Sequence, residues 1–353
     1  LRDQIGGWQW VATTGGTGDV NIRVVTPDGQ GGVFVGGSVV GTVDFGSQRT
    51  GITTSGGTEP FVAHLNSTGH WQWVTRAYSD SWGQVNDIAV MSDGGIAVTG
   101  DFAYTLYWDG GTYAIDAGWG TDAFVARINA SGGPEWWASI GRMGDYYEVG
   151  NAIVVDELDN IYVTGRCLHQ TVYRMRDLSG ADTGSVSIYD ASDGSSCQWS
   201  GPYRGEAFVA RLSSSGAYQW FETVRNDQYR WGVDIDFLSN GNLLVMFTGE
   251  TQHNDGQARG IGFAEITKGG TNIGDIDFCC YDSSSTHRLQ PNAMFLTQEV
   301  YSPPDYIRGH GTSSALGDTP TDVIWVAGTV RGISETWHGT DTAGRGSMVT
   351  WGN

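Results

Sequence analysis

The sequence predicts an all-β protein, a single β-propeller of five four-stranded blades spanning residues 1–353. Three observations lead to this prediction. Glycine supplies 54 of the 353 residues, which suits tight turns between short strands and disfavours long helices. A pattern of four short strands recurs along the chain, and the two chain ends carry complementary parts of that pattern. Propellers of this length are ordinary single domains.

The third strand of the repeated unit has three near-identical copies. They read FVAHLN, FVARIN and FVARLS, at residues 61–66, 124–129 and 208–213. Each copy leads through a glycine-containing turn to an aromatic strand. These aromatic strands lie at residues 71–74, 136–138 and 218–221. The recurrence of this pair of strands along the chain indicates a repeat architecture.

A hairpin precedes each of these strands. Short runs rich in β-branched residues flank the turn dipeptides Asp28-Gly29, Asp93-Gly94, Asp159-Asn160 and Asn240-Gly241. Such dipeptides tolerate the backbone conformations that a tight hairpin turn requires. Each unit therefore has four antiparallel strands, which is the composition of a propeller blade.

The two ends of the chain predict that the ring closes on itself. Residues 347–351 resemble the third strand of the unit, and residues 8–11 (WQWV) resemble the fourth. Closure by pairing these ends removes two exposed strand edges, whereas a solenoid would need capping units. The predicted blades are 20–75, 86–140, 150–224, 232–280, and 287–353 joined to 1–13. In the fifth blade, residues 292–296 are expected to pair with 323–328.

The unit resembles the bacterial and archaeal β-propeller repeats known as SBBP repeats. The resemblance is carried by the inner hairpin ending Val98-Thr99-Gly100, by the strand DAFVARIN at 122–129, and by Gly-x-Trp-x-Trp at 69–73. It covers three blades closely. The resemblance implies a propeller fold and an extracellular or cell-surface location, without implying a particular activity.

Charge and hydropathy exclude two classes of partner. The net charge of −20 repels phosphate backbones, and no basic stripe offsets it, so we expect no nucleic-acid binding. No segment approaches the roughly 20 apolar residues of a membrane helix. The sequence opens directly in the repeat, which we would expect of a secreted chain after removal of its signal peptide, although a cytosolic protein would also lack a signal.

The four cysteines predict disulfides rather than a metal site, because none forms a CxxC pair. Cys167 and Cys197 bracket one polar insertion, and a disulfide between them would suit an oxidising compartment. Cys279 and Cys280 are adjacent, so they form either a vicinal disulfide or two reduced thiols of a strand.

Turn residues carry two further predictions. Asn66 and Asn129 begin glycosylation acceptor patterns, although both fall at the same turn of the repeat, so turn chemistry explains them equally well. Asp156 and Asp159 could hold Ca²⁺ through oxygen ligands, but their spacing does not match an EF-hand loop.

Catalytic motifs are absent from the sequence: it contains no HExxH, GxSxG or phosphate-binding loop. The acids Glu59, Asp122 and Glu206 recur at one repeat position, which indicates a structural role such as pairing with Arg127 or Arg211 of a neighbouring blade. Other carboxylates leave a glycosidase-like pair open.

Aromatic residues outside the repeat are the candidate binding residues. They can stack on sugars or fill a protein interface, or simply pack their own loops. They are Tyr104, Tyr107, Trp108, Trp119, Tyr146, Tyr147 and Trp231.

The function predicted from these features is a non-enzymatic extracellular or cell-surface propeller. It would act as a structural, assembly or adhesion subunit through protein contacts or self-association. The insertion between Cys167 and Cys197, with Tyr173, Met175 and Tyr189, is the first candidate contact. Two alternatives remain, a lectin-like propeller that binds glycans and a polysaccharide hydrolase or lyase, because propellers host unrelated functions.

Overall fold

A computed structural model describes most of the chain. The described residues are 9–46, 49–54, 56–108, 114–141, 147–167, 172–177, 182–187, 206–224, 229–253, 256–278, 288–299, 321–331, 337–340 and 346–349. They form strands joined by turns, with no helix in these ranges. The predicted all-β class is therefore confirmed.

The strands are numbered in chain order. They are β1 (Gly15–Gly16), β2 (Asp19–Pro27), β3 (Val33–Val40), β4 (Thr42–Phe45), β5 (Arg49–Thr53), β6 (Glu59–Leu65), β7 (Trp71–Ser79), β8 (Gly83–Val90), β9 (Ile96–Trp108), β10 (Ile115–Ile128), β11 (Pro134–Gly141), β12 (Val149–Val155), β13 (Ile161–Cys167), β14 (Val172–Asp177), β15 (Asp182–Ser187), β16 (Glu206–Leu212), β17 (Tyr218–Val224), β18 (Tyr229–Phe237), β19 (Leu243–His253), β20 (Gly256–Ile266), β21 (Asn272–Phe278), β22 (Arg288–Glu299), β23 (Thr321–Arg331), β24 (Trp337–Thr340) and β25 (Gly346–Val349).

The chain divides into two compact units, Leu1–Gly232 and Val233–Asn353. In the first unit, three antiparallel groups of four strands follow one another: β2-β3-β6-β7, β8-β9-β10-β11 and β12-β13-β16-β17. The first two groups are continuous, because the end of β7 also pairs with the end of β9, and with β14 and β15 they form one ten-stranded sheet. This is the four-strand unit predicted from the repeat. The short strands β1, β4 and β5 form a separate small sheet.

Strand β18 begins in the first unit, which includes Trp231 and Gly232, and continues into the second, where β18-β19-β20 with β21 added on β20 repeats the same arrangement. Further along, β22 and β23 pair antiparallel, with Ala293 opposite Ala327 and Leu296 opposite Ile324. This confirms the pairing expected between 292–296 and 323–328. Residues 1–8 and 350–353 lie outside the described ranges, and residues 9–14 form no strand. The predicted pairing of the chain ends therefore stays a prediction.

One β-bulge recurs in the inner hairpins and aligns the repeats. The ladder skips Arg23, Asn86, Asn151 and Asn292, each in the first strand of its hairpin. A bulge leaves its extra residue outside the ladder and bends the strand. It therefore frees these side chains to contact a neighbouring strand.

Hydrogen bonds from the bulges join one four-stranded group to the next. Asn86 Nδ2 donates to the carbonyl of Gly150 at 2.8 Å, and Asn151 Nδ2 donates to that of Gly232 at 2.6 Å. The carboxylate of Asp87 accepts from the amide of Ile153 at 2.8 Å. Successive inner strands are thus linked by side chain to backbone.

Close packing between groups depends on matched large and small residues. A Cβ atom on Gly150 would lie 2.2 Å from Thr99 Oγ1, so only glycine fits beside this threonine. Earlier in the chain the glycine belongs to the preceding group and the larger residue to the following one, because Gly36 makes room for Val85. The matched pairs are Gly36 with Val85, Thr99 with Gly150, and Thr164 with Gly232. Interior packing of this density tolerates little added volume.

The outer-strand tryptophans pack on the turns of the following group. The indole of Trp73 covers Gly132 and donates from Nε1 to the carbonyl of Ala130 at 3.0 Å. The ring of Trp10, which precedes the first strand, covers Gly69 with a matching ring-to-glycine contact. Both glycines have positive φ, so the turn brings bare backbone to the ring.

The insertion in the third group folds back on the second. Its strands β14 and β15 form a hairpin, and β14 pairs antiparallel with β11 over six residue pairs from Trp136–Asp177 to Gly141–Val172. This part of the insertion, expected from sequence to contact another subunit, therefore covers a sheet edge of its own chain.

No helix in the described part of the chain has the length and apolar character that crossing a bilayer requires.

Candidate functional site

Four of the seven predicted aromatic residues lie on linked elements and are exposed. We call them the aromatic strip: Tyr104, Trp119, Tyr147 and Trp231. Their exposed fractions are 41%, 78%, 54% and 36%. A tryptophan that is three-quarters exposed on a paired strand is uncommon, because burial of so large an apolar side chain is worth several kcal/mol.

An irregularity in the long β9–β10 hairpin exposes the first two members. Ala103 pairs with Thr121 and Thr105 with Asp116, so four residues of β10 oppose Tyr104 alone. Tyr104 takes a positive φ of 63°, which is rare for a residue other than glycine. Trp119 lies in the bulged segment, with its ring centroid 6.4 Å from that of Tyr104.

A short backbone connection leads from this bulge to Tyr147. Thr121 and Tyr147 form a parallel bridge, and the amide of Glu148 donates to the carbonyl of Thr121 at 2.8 Å. Glu148 is fully buried behind the bridge. The ring of Tyr147 is therefore held at the surface by a fixed backbone.

Arg166 links Tyr147 to Trp231. Its Nε donates to the carbonyl of Tyr147 at 3.0 Å, and its guanidinium carbon lies 5.0 Å from the centroid of the Trp231 ring. Burial lowers the pKa of Arg166, while the charges of Glu148 and Asp101 raise it. The arginine stays ionised, because its ordinary pKa is far above neutrality.

Asp101 lies beneath the Arg166 end of the strip and is almost fully buried. It accepts from Asn86 Nδ2 at 2.6 Å and from Gln84 Nε2 at 3.4 Å. Burial raises the pKa of Asp101 to about 6, against the lowering effect of these hydrogen bonds and of the Arg23 and Arg166 charges. This carboxyl therefore takes up a proton in a range where ordinary aspartates remain ionised.

Sequence reasoning missed Asp101 and Arg166, although a signal was present. Both follow the Val-Thr-Gly motif, in the second and third repeats respectively. The second repeat has an aspartate and the third an arginine at this one position, so neither residue belongs to the repeat pattern. The candidate aromatic residues were chosen by the same criterion, since they also lie outside the repeat.

The other three predicted aromatic residues do not join the strip. Tyr107 stacks on Tyr78, with centroids 4.7 Å apart and planes 12° apart. Trp108 is fully buried against Phe124, so its expected binding role is wrong and it belongs to the core. Tyr146 lies outside the described residues.

The repeated acid at Glu59 is structural, but its partner differs from the expected one. Glu59 is fully buried and pairs with Arg76 of the next strand in its own group, at 2.6 Å. Arg127, the expected kind of partner, instead pairs with Asp93 and with Glu135. The pair is thus formed within a group rather than between groups.

The predicted calcium ligands make hydrogen bonds with the protein. Asp156 Oδ1 accepts from the amides of Leu158 and Asn160, at 3.0 and 2.9 Å. Asp159 accepts from the amide of Ser92 at 2.9 Å. Burial raises the pKa of Asp156, but these bonds and the side chain of Asn160 lower it overall. Among the described residues no group of three or more His, Cys, Asp or Glu side chains could hold a metal ion. The Ca²⁺ assignment stays a prediction.

The sequon asparagines shape their turns. Asn66 Oδ1 accepts from the amides of Thr68 and His70, both at 3.0 Å, and Asn129 makes the equivalent bonds. This is the turn chemistry that the sequence offered as an alternative. Glycosylation is compatible with it and stays a prediction.

Cys167 is buried at the end of β13 and is disulfide-bonded. Cys197, Cys279 and Cys280 lie outside the described ranges, so the pairing of Cys167 with Cys197 and the vicinal disulfide stay predictions.

Comparison with known proteins found neither a family model nor a curated protein that matches this chain.

Proposed function

We propose that this protein is a non-enzymatic extracellular or cell-surface propeller that acts as an assembly or adhesion subunit. It binds a protein partner, or a second copy of itself, through the aromatic strip. The observation that carries this proposal is Trp119, which is 78% exposed on a hairpin whose strands are paired on both sides of it. Exposed aromatics on rigid elements are the usual anchors of protein interfaces.

Several sequence features support the location. The resemblance to surface propeller repeats, the sequons at Asn66 and Asn129, and the predicted disulfide between Cys167 and Cys197 agree with an oxidising, extracellular compartment. The net charge of −20 favours a soluble, well-hydrated exterior.

We also propose that the four-stranded groups close into a five-bladed ring, with the N-terminal segment completing the last blade. Val25 is 56% exposed, whereas the residues at its position in the other repeats are buried. These are Ile88 at 3%, Ile153 at 2%, Ile235 at 2% and Met294 at 7%. An apolar side chain at the one uncovered position supports a fifth blade that packs there. The contact of Trp10 with Gly69 supports the same closure, since it matches that of Trp73 with Gly132.

Substituting Trp119 tests the binding role of the strip. We expect Trp119→Ala to weaken self-association or partner binding at least tenfold, because interface tryptophans contribute 2 kcal/mol or more, roughly, when they anchor a contact. Association is measured by light scattering over a concentration series, and by surface capture of partner material. Leu158→Ala is the matched control, since Leu158 is 75% exposed at a turn outside the strip. Equal effects of the two substitutions, or a wild-type protein that stays monomeric and binds no protein, would contradict the proposal.

A further inference from the structure

Arg166 is held in position with its donor atoms unused. Nε is fixed on the carbonyl of Tyr147, and the guanidinium plane is backed by the ring of Trp231. Its two terminal nitrogens, Nη1 and Nη2, donate no hydrogen bond within the described residues. A fixed guanidinium with a free fork is the side chain best suited to binding a carboxylate with two parallel hydrogen bonds.

The charged groups around Arg166 differ in their exposure to solvent. The two acids that face it, Glu148 and Asp101, are buried. Arg23 is exposed and close enough to lower the pKa of Asp101. The charges of Arg23 and Arg166 thus both act on Asp101, while the two acids near Arg166 are shielded from solvent.

Exposed rings flank the same position. The Trp231 ring lies against the guanidinium, and Tyr147 accepts from its Nε through the backbone carbonyl; both residues keep part of their surface in solvent. Aromatic rings beside a few fixed polar groups form the typical lining of a small-molecule site. The apolar faces of a pyranose ring pack on such rings while its polar substituents reach the side chains around them.

We propose that Arg166, with Arg23, Tyr147 and Trp231, forms a binding site for a saccharide that carries a carboxylate, of the uronic acid class. The carboxylate pairs with the free Nη atoms of Arg166, and the sugar ring packs on Trp231 or Tyr147. This site goes beyond the proposed assembly role. It shares Tyr147 and Trp231 with the aromatic strip, so a protein partner bound over the whole strip would compete with the saccharide, whereas Trp119 belongs to the assembly surface alone.

Asp101 makes the binding pH-dependent. The groups that face it are Arg23, Arg166, Asn86 and Gln84, and its pKa is about 6. Below that pH it becomes neutral and no longer offsets the two guanidiniums. A sugar carboxylate with a pKa near that of an α-carboxyl, about 3.5, is still ionised at pH 5. Binding therefore tightens as the pH falls from 7.5 to 5.

The experiment is calorimetric titration with tri-galacturonic acid at pH 7.5 and 5, with uncharged maltotriose as the matched ligand. The wild-type protein should bind the acidic trimer more tightly at pH 5, and bind it in preference to maltotriose at both pH values. Arg166→Gln should weaken binding at least tenfold, and Arg166→Lys should weaken it less. Lys268→Gln should have no effect, since it removes the charge of another cation–π pair, that with Phe237.

Other outcomes overturn the proposal. Absence of measurable trimer binding by the wild-type protein would do so, as would equal binding of the Arg166→Gln variant with a native circular dichroism spectrum. Trp231→Ala covers the case in which Arg166→Gln does not fold, because it leaves the arginine in place and should still weaken binding. Equal affinity for a penta-aspartate peptide would show that the site recognises acidic peptides rather than sugars.

Loss of assembly in Trp119→Ala with unchanged trimer binding would separate this site from the assembly surface.

Discussion

At the residue scale, the most unusual group is the buried carboxyl of Asp101. Its place after Gly100 brings it under the Arg166 end of the aromatic strip, where solvent cannot reach it. The amide of Asn86, freed by its bulge, is its main hydrogen-bond donor. These contacts do not fully replace water, so its charged form is disfavoured.

Asp101→Asn should therefore stabilise the protein at neutral pH. The pKa of Asp101 rises from 3.8 in the unfolded chain to about 6 in the folded protein. The folded state holds its proton more tightly, so this group's contribution to stability is present at pH 4 and is lost as the pH rises through 6. We expect the variant to unfold with a free energy about 1 to 3 kcal/mol higher at pH 7.5 and nearly unchanged at pH 4, by urea denaturation.

Asp93→Asn is the control with the opposite sign. The amide of Gly95 and the charge of Arg127 lower the pKa of Asp93, and burial opposes them only in part. Its contribution is present at neutral pH and is lost as the pH falls below the usual aspartate range. The variant should thus be less stable than the wild type at pH 7.5. A destabilising Asp101→Asn at the same pH would mean that the Arg23 and Arg166 charges outweigh burial.

At the element scale, the hairpin β14–β15 changes the sheet to which it is added. By pairing with β11 it covers the outer edge of the second four-stranded group. Unpaired edges invite contact with other chains, and proteins protect them by covering strands or by charge. We interpret this hairpin as such a cover.

Removing the hairpin tests this interpretation. Cys167 and Glu206 are direct partners across β13 and β16, so residues 168–205 can be replaced by Asn-Gly, a dipeptide suited to a two-residue turn. Because this replacement removes Cys197, the shortened protein also carries Cys167→Ala, and it is compared with the full chain carrying Cys167→Ala and Cys197→Ala. We expect the shortened protein to keep its strand content by circular dichroism and to aggregate at concentrations where the full chain does not, by light scattering. A shortened protein as soluble as the full chain would show that β11 needs no cover.

Charge placed on the bare edge separates the effect of the exposed edge from general damage. A second version of the shortened protein carries a lysine on β11. Ser139 and Trp137 are unsuitable positions for it, because both residues are buried and a charge there would disrupt the core. Glu135→Lys is the better choice, because Glu135 is partly exposed at the start of that strand. Since this change also removes the ion pair of Glu135 with Arg127, the same substitution in the full chain is its control. Partial recovery of solubility with this change would support edge pairing as the cause of aggregation.

At the scale of the whole molecule, ring closure is the open question that substitution can answer. Val25→Asp would be nearly neutral at an exposed site, within about 0.5 kcal/mol. In a closed ring it would place a charge under the fifth blade and cost about 2 kcal/mol or more. The measurement is the free energy of unfolding in urea. Ile273→Asp, at a 57% exposed strand position of the fourth group, controls for the low strand propensity of aspartate. Equal losses at the two sites would contradict closure.

The sequence by itself determined the repeated four-strand unit and the turns. Hairpins depend on alternating apolar residues and on the two to five residues of the connecting turn, all of which are neighbours in the chain. For the same reason the turn role of Asn66 could be predicted as an alternative to glycosylation, since its partners Thr68 and His70 lie two and four residues away.

Only the tertiary structure decided which distant residues meet. Spacing alone could not show that Glu59 pairs with Arg76 rather than with the arginine of another group, or that Trp108 points into the core while Trp119 points to solvent. The exposure of Trp119 follows from the irregularity in β10, because extra residues in one strand turn the side chains there away from the regular faces of the sheet. The meeting of Arg166 with Tyr147 and Trp231 depends likewise on how successive groups pack, which no local pattern encodes.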